Sequence, residues 1–288
     1  VLALLLSIIT SGSLVLIFRF TERFQIPLLP LIGINYLTCV LSGLLYRPQE
    51  AISVFLHFHF SGPYLLGIIQ GTLFILIFNL MGITAQRIGA AYTSLMGKIS
   101  VVIPTAIAYF LFHDPFPWTR KIGFVCVLLS LILIHLPYFR NMQTSRKTLL
   151  LFLGAALFVG SGIIDTNFKI YQEWFGNQFP RIGFTILVFG VAGGIGILYL
   201  LFRSDFLLLF RPPTLIAGIL LGIVNFLSLV FLLQGLQSLP ATLFFPANNI
   251  GIILFTALGE RLLFKTQLST EMLLGLALAS ISIWLIVM

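Results

Sequence analysis

Apolar positions in this chain do not alternate as in a half-buried strand, and they do not keep to one helical face. They run on in blocks of roughly the 20 residues that a helix needs to cross a bilayer. Short stretches of charge, proline or glycine separate the blocks. Ten follow one another: Val1–Phe18, Leu28–Tyr46, Pro63–Ile83, Ala90–Phe112, Trp118–Leu136, Thr148–Ile170, Phe179–Phe202, Pro213–Leu236, Ala241–Leu258 and Glu271–Met288. Nearly every residue lies in or beside one of them, so no soluble domain fits. The pattern predicts an all-α integral membrane protein of ten transmembrane helices. Val1–Phe18 lacks a basic leading region and a small-residue cleavage site, and is expected to be a retained helix rather than a signal peptide.

The blocks also repeat, at an offset of roughly 150 to 152 residues. Ser11-Gly12 recurs as Ser161-Gly162, and Phe18-Arg19 as Phe168-Lys169. Gly67-Ile-Ile-Gln-Gly71 recurs as Gly218-Ile-Leu-Leu-Gly222, and Gln86 with Ala90 as Gln237 with Ala241. Leu111-Phe112 and Gly123 recur as Leu263-Phe264 and Gly275. Apolar helices share letters readily, but not in this order at a near-constant offset. Residues 1–140 therefore read as a first five-helix repeat, 141–147 as a connecting loop and 148–288 as a second repeat, within one membrane domain. Five is odd, so a unit that begins on one side of the membrane ends on the other, and its duplicate enters upside down. Two inverted five-helix repeats (5+5) are a recurrent plan of secondary transporters, with the substrate held between the halves near the midplane.

Composition narrows the class further. Hydrophobic residues make up 59% of the chain and charged ones 8%, with a mean hydropathy of +1.11. A soluble domain carries about 25% charged residues, so most of this surface must face lipid. The formal charge is +8, from 16 basic and 8 acidic residues. The basic residues fall in ones and twos between the blocks, as in Arg19/Arg23, Arg120/Lys121 and Arg146/Lys147. That is the habit of loops that anchor helices at headgroups, and it argues against a nucleic-acid partner. Cys39 and Cys126 lie far apart inside apolar blocks and read as small buried hydrophobes.

Several stretches resemble a known family. Gln86-Arg-Ile-Gly-Ala-Ala-Tyr-Thr-Ser94, Lys98-Ile-Ser-Val-Val-Ile-Pro104 and Phe112-His-Asp114 resemble the first EamA repeat of the drug/metabolite transporter superfamily. Gln237-Ser-Leu-Pro-Ala241, Leu258-Gly-Glu-Arg-Leu262 and Leu274-Gly275 resemble the second. The first half departs from the pattern in carrying His113-Asp114-Pro115 where Gly-Glu is common. The resemblance spans almost the whole chain. It implies a ten-helix permease of the bacterial inner membrane that exports amino acids or similar metabolites through a central cavity. It fixes neither the solute nor the energy source.

Inside the blocks, a charge costs about 2.5–3.5 kcal/mol on insertion scales and is a functional candidate by default. Lys98 stands about nine residues into the fourth block with no carboxylate within a helical turn. A side chain reaching ~6 Å covers only about four residues of helix rise, too little to snorkel out, so Lys98 is expected to line a cavity. Its repeat counterpart is Asn249, beside Asn248. Tyr92 and Ser94 open the same block, and Ser11, Ser161 and Asn225 are weaker candidates for substrate contact, each equally able to bond between helices. Asp165 and Lys169 are four apart and share a helix face. The pair reads as an interfacial ion pair, with Lys169 matching the helix-end anchor Arg19; if transport is coupled to protons, Asp165 is the first candidate. Gly67, Gly71, Gly218 and Gly222 are expected to let helices pack closely. Pro104 and Pro246 are candidate gating kinks.

No GxxxxGK[ST] loop, HExxH motif or metal-ligand cluster is present, and His57 with His59 does not complete a zinc site. No cofactor is implied, and an enzyme is not expected. The leading reading is a carrier for a small-molecule substrate in a lipid membrane; a flippase for lipid or lipid-linked sugar is the alternative, and an intramembrane enzyme a more distant one. Loops after odd-numbered spans hold ten Lys and Arg against five after even-numbered ones. That count would put both termini outside, whereas the resemblance puts them in the cytoplasm.

Overall fold

The computed structural model describes residues 1–56, 60–87, 90–140, 147–202, 204–265 and 269–288; His57 and His59 lie outside them. Among these residues the chain forms twelve α-helices and no strand. They are α1 (Leu2–Arg23), α2 (Leu28–Tyr46), α3 (Pro48–Leu56), α4 (Gly62–Arg87), α5 (Ala90–Ile99), α6 (Val102–Phe110), α7 (Trp118–Arg140), α8 (Lys147–Ile170), α9 (Arg181–Leu201), α10 (Pro212–Ser238), α11 (Ala241–Phe264) and α12 (Thr270–Val287). A π-helical turn, Tyr171–Phe175, extends α8, and a 3₁₀ segment, Ser204–Phe210, precedes α10. Ten spans are long and apolar enough to cross a membrane, and they coincide with the ten apolar blocks to within a few residues. Without water in the bilayer core each backbone group must be satisfied inside its own segment, which is why such blocks become helices.

The fourth span is broken. Pro104 has no N–H to offer the Ser100 carbonyl four residues back. That carbonyl takes the Ile103 N–H instead, at 2.9 Å, and the Val101 N–H turns to the Lys98 carbonyl at 3.3 Å. One continuous apolar block thus becomes α5 and α6, joined at Ser100-Val101. Pro246 lies inside α11 without interrupting it.

Contacts divide the chain into two compact units, each of which draws on both sequence halves. Unit 1 comprises Val1–Ile75 and Ile170–Gln237; unit 2 comprises Leu76–Lys169 and Ser238–Met288.

In unit 2, α7 and α12 form the largest helix pair, α11 packs on α6, α7 and α12, and α5 packs on α7. Glycines permit the α7–α12 approach. A Cβ on Gly123 would lie 2.7 Å from Ile286 Cγ1 and 3.1 Å from the Ser282 carbonyl oxygen. A Cβ on Gly275 would lie 2.6 Å from Ile134 Cγ1 and 3.1 Å from the Ser130 carbonyl oxygen. The start of each helix thus meets the end of the other, so the pair is antiparallel. The opposite face of α7 leaves Ile122, Val125, Leu129 and Ile132 exposed in one stripe, an apolar surface suited to lipid.

Unit 1 is built on α2 and α9, also antiparallel. A Cβ on Gly43 would fall 2.5 Å from Ile186 Cγ1, and one on Gly193 would fall 3.0 Å from Tyr36 Cβ. Gly67 and Gly71 of α4 press on Leu187, Val188 and Val191 of α9, while Gly218 and Gly222 of α10 press on Ile34, Asn35 and Thr38 of α2. The short helix α3 lies on α9 through Val54. Leu209 of the 3₁₀ segment joins Ile34 and Leu200 in a small apolar cluster.

Candidate functional site

The break after Ile99 places Lys98 in the last turn of α5, where the carbonyl ends of a helix favour a cation. Its ammonium donates to Asn249 Oδ1 at 3.3 Å, across 151 residues of sequence. Asn249 comes from the first half of α11, where every residue from Ala241 to Ile253 is buried. Its neighbour Asn248 is 5% exposed, and its Oδ1 has no hydrogen-bond partner among the described residues. An amide oxygen left so costs about 1–3 kcal/mol, which marks Asn248 as a candidate to accept from a bound solute.

The α8 helix brings a carboxylate to the same cluster. Asp165 acts electrostatically on Lys98, without a contact ion pair between them. Ser161 lies one turn earlier on α8, its hydroxyl 3.7 Å from where a Cβ of Gly97 would sit, and Gly162 rests against Ile103 of α6. Lys98, Asn248, Asn249, Ser161 and Asp165 all belong to unit 2, gathered from α5, α8 and α11. Ser94, one turn before Lys98, is exposed, and the Tyr92 side chain lies outside the described residues.

Two further candidates belong to unit 1. Asn225 of α10 donates to Asn35 Oδ1 of α2 at 3.2 Å. Close by, Cys39 Sγ points to the Gly222 carbonyl at 3.3 Å, so this part of unit 1 is a polar seam between two helices. Ser11 is half-buried on α1.

The expected Asp165–Lys169 pair is corrected. Lys169 is 2% exposed, buried rather than anchored at a headgroup. Its ammonium meets Asp114 Oδ1 at 2.9 Å and lies over the Phe112 ring at 5.4 Å from the centroid. Four-residue spacing shows which side chains share a helix face, but the partner is whatever that face meets. Asp114 is the functional-looking residue that sequence reasoning passed over as a mere departure from a motif. Its second oxygen accepts the Ala241 N–H at 2.5 Å, capping a helix whose own N-cap position is Pro240. Beside it the Thr242 hydroxyl donates to the Pro115 carbonyl at 2.8 Å. His113, with φ of 54°, turns the chain so that this loop can reach α11. The available signal was scarcity: a chain with 8 carboxylates cannot leave one between a histidine and a proline without use.

The fold and this buried polar cluster define the class: an all-helical integral membrane protein with ten candidate spans. No family model matches the chain. An uncharacterized protein of Haemophilus influenzae is 25% identical over 280 residues, covering 95% of this chain and 93% of its own. A solved crystal structure superposes with a TM-score of 0.75 at 13% identity, over 99% of this chain and 95% of that one. At such identity the likeness is one of fold.

Proposed function

We propose that this chain is a secondary carrier of the EamA type, built as two inverted five-helix repeats, that exports amino acids or similar small polar metabolites across a bacterial inner membrane by alternating access. The inverted arrangement is supported by reciprocal contacts. Gly123 meets Ile286 as Gly275 meets Ile134, and Gly43 meets Ile186 as Gly193 meets Tyr36. In each set, members roughly 150 residues apart exchange places. Exchange between antiparallel neighbours calls for a local two-fold axis perpendicular to the helices. When the helices span a bilayer, that axis lies in its plane, as in inverted-repeat carriers.

The observation that carries the functional reading is the Lys98 cluster. A cation stands at a break in a spanning helix, bonded to Asn249, beside an amide oxygen on Asn248 with unused capacity. Discontinuous helices and unpaired polar groups inside spans are how carriers hold polar cargo. In this reading Lys98 takes the carboxylate or phosphate of the solute, Asn248 and Asn249 orient its donors, and Asp165 is the candidate for ion coupling. Ser161 adds a hydroxyl one turn away.

Proteoliposomes loaded with a mixture of labelled amino acids and sugar phosphates test the proposal. Export of a chemically unchanged, water-soluble solute is expected. The Lys98→Ala variant should lose it while keeping its folded yield in detergent. Normal transport by that variant would remove Lys98 from the site, and recovery of a chemically altered solute would replace the carrier with an enzyme.

A further inference from the structure

Unit 1 contains a cavity of about 500 Å³, within the range of roughly 300–1,000 Å³ typical of small-molecule sites. It shares no residue with the Lys98 cluster. We propose that it recognises a zwitterion, a molecule carrying an oxyanion and an ammonium, whether free in solution or as a lipid headgroup.

Helix ends of opposite sense meet at this cavity. The N-terminal turn of α9 contributes Arg181, and the C-cap of α2 contributes Arg47. The first turn of α3 contributes Glu50, and the last turns of α10 contribute Gln234 and Gln237. A helix N-terminus carries partial positive charge and a C-terminus partial negative charge. The α9 end with Arg181, together with the Arg47 guanidinium at the α2 end, therefore forms a pole for an oxyanion; the α10 end, with Glu50, forms a pole for a cation.

The charges facing the cavity do not neutralise one another. Among the described residues, neither Glu50 nor Arg47 forms an ion pair, and the Arg47 guanidinium merely lies 5.8 Å from the centroid of the Tyr46 ring. Arg181 Nη1 donates to Gln237 Oε1 at 3.2 Å, which fixes the fork, while its Nε is buried without a partner among the described residues. A guanidinium held at one edge with an N–H left over is prepared for the bidentate capture of a carboxylate or phosphate. The wall between the poles is rigid. Tyr171, on the π-helical turn, stacks on Phe184 with centroids 3.9 Å apart and donates to the Phe179 carbonyl at 2.8 Å. Such turns are frequent at functional sites.

The test is calorimetric titration of the purified full chain in detergent at low salt, with matched probes that differ only in the ammonium. These are O-phosphoethanolamine against ethyl phosphate, and L-leucine against 4-methylpentanoate. At least one zwitterion should bind about tenfold or more tightly than its partner. Glu50→Gln should collapse that preference to less than about threefold while anion binding persists. Arg181→Gln should weaken both members of the pair; Arg47→Gln, at an exposed position, keeps this arm readable if Arg181→Gln fails to fold. Lys98→Ala should leave the Glu50-dependent ammonium preference intact even where it removes anion binding at the proposed transport site, which separates the two sites. A lipid source would appear instead as retention of phosphatidylethanolamine over phosphatidylglycerol from mixed nanodiscs, lost in Glu50→Gln. Absence of an ammonium preference in both arms, or a preference untouched by Glu50→Gln, overturns the proposal.

Discussion

Removing Asp114 offers the sharpest test of how this fold is held together. Its carboxylate does two things: it neutralises Lys169, and it caps the start of α11 through the Ala241 N–H. The Lys169 side chain is 3% exposed and that of Asp114 11%. Asp114→Ala leaves an ammonium buried without its counter-ion, a change that costs about 3–5 kcal/mol. The lost cap adds about 1 kcal/mol. Lys169→Met should cost less, about 1–3 kcal/mol, because the remaining carboxylate keeps one donor and some access to solvent. In the double variant no charge is stranded, so only the cap and modest packing differences remain, about 1–2 kcal/mol. The double variant should therefore be more stable than Asp114→Ala alone. Equilibrium unfolding in mixed micelles, with denaturing detergent as titrant and far-ultraviolet circular dichroism as readout, measures all three. If the double variant loses the sum of the single losses to within about 0.5 kcal/mol, the two sites are independent and the buried-pair argument fails.

Three other outcomes follow from the same structure. Gly71→Ala and Gly222→Ala should each destabilise by about 1–3 kcal/mol, because the new Cβ would lie 2.6 Å from the backbone oxygens of Val188 and Asn35, respectively. Gly190→Ala, with nothing within 4 Å of its Cβ, should be neutral or slightly stabilising in the same unfolding assay, and equal losses at all three would discredit the packing argument. Asn248→Leu removes a buried oxygen that has no partner among the described residues, so stability should hold or rise while transport falls; a loss above about 1 kcal/mol would make the amide structural. Pro104→Ala returns an N–H to the Ser100 carbonyl, so helix content should not fall while transport slows; unchanged transport would detach the α5–α6 break from function.

Which parts of this protein could be read from its sequence follows from the range of the forces involved. Spanning length and apolar composition are local properties, and a bilayer enforces them segment by segment. All ten spans were therefore legible. Sequence could not say that the Lys98 and Asn249 side chains touch, because their contact crosses 151 residues. It could not show that Pro104 divides its helix while Pro246 does not, since either proline removes one hydrogen bond and the surroundings decide whether the turn re-forms. Most of all it misassigned the buried charges. Asp165 and Lys169 share a face by spacing alone, yet the loop carrying Asp114 and the turn carrying Lys98 compete for them. In a low-dielectric interior Lys169 takes the partner that tertiary packing brings within reach, and that choice is made only when the segment between α6 and α7 that carries Asp114 meets α8 and α11.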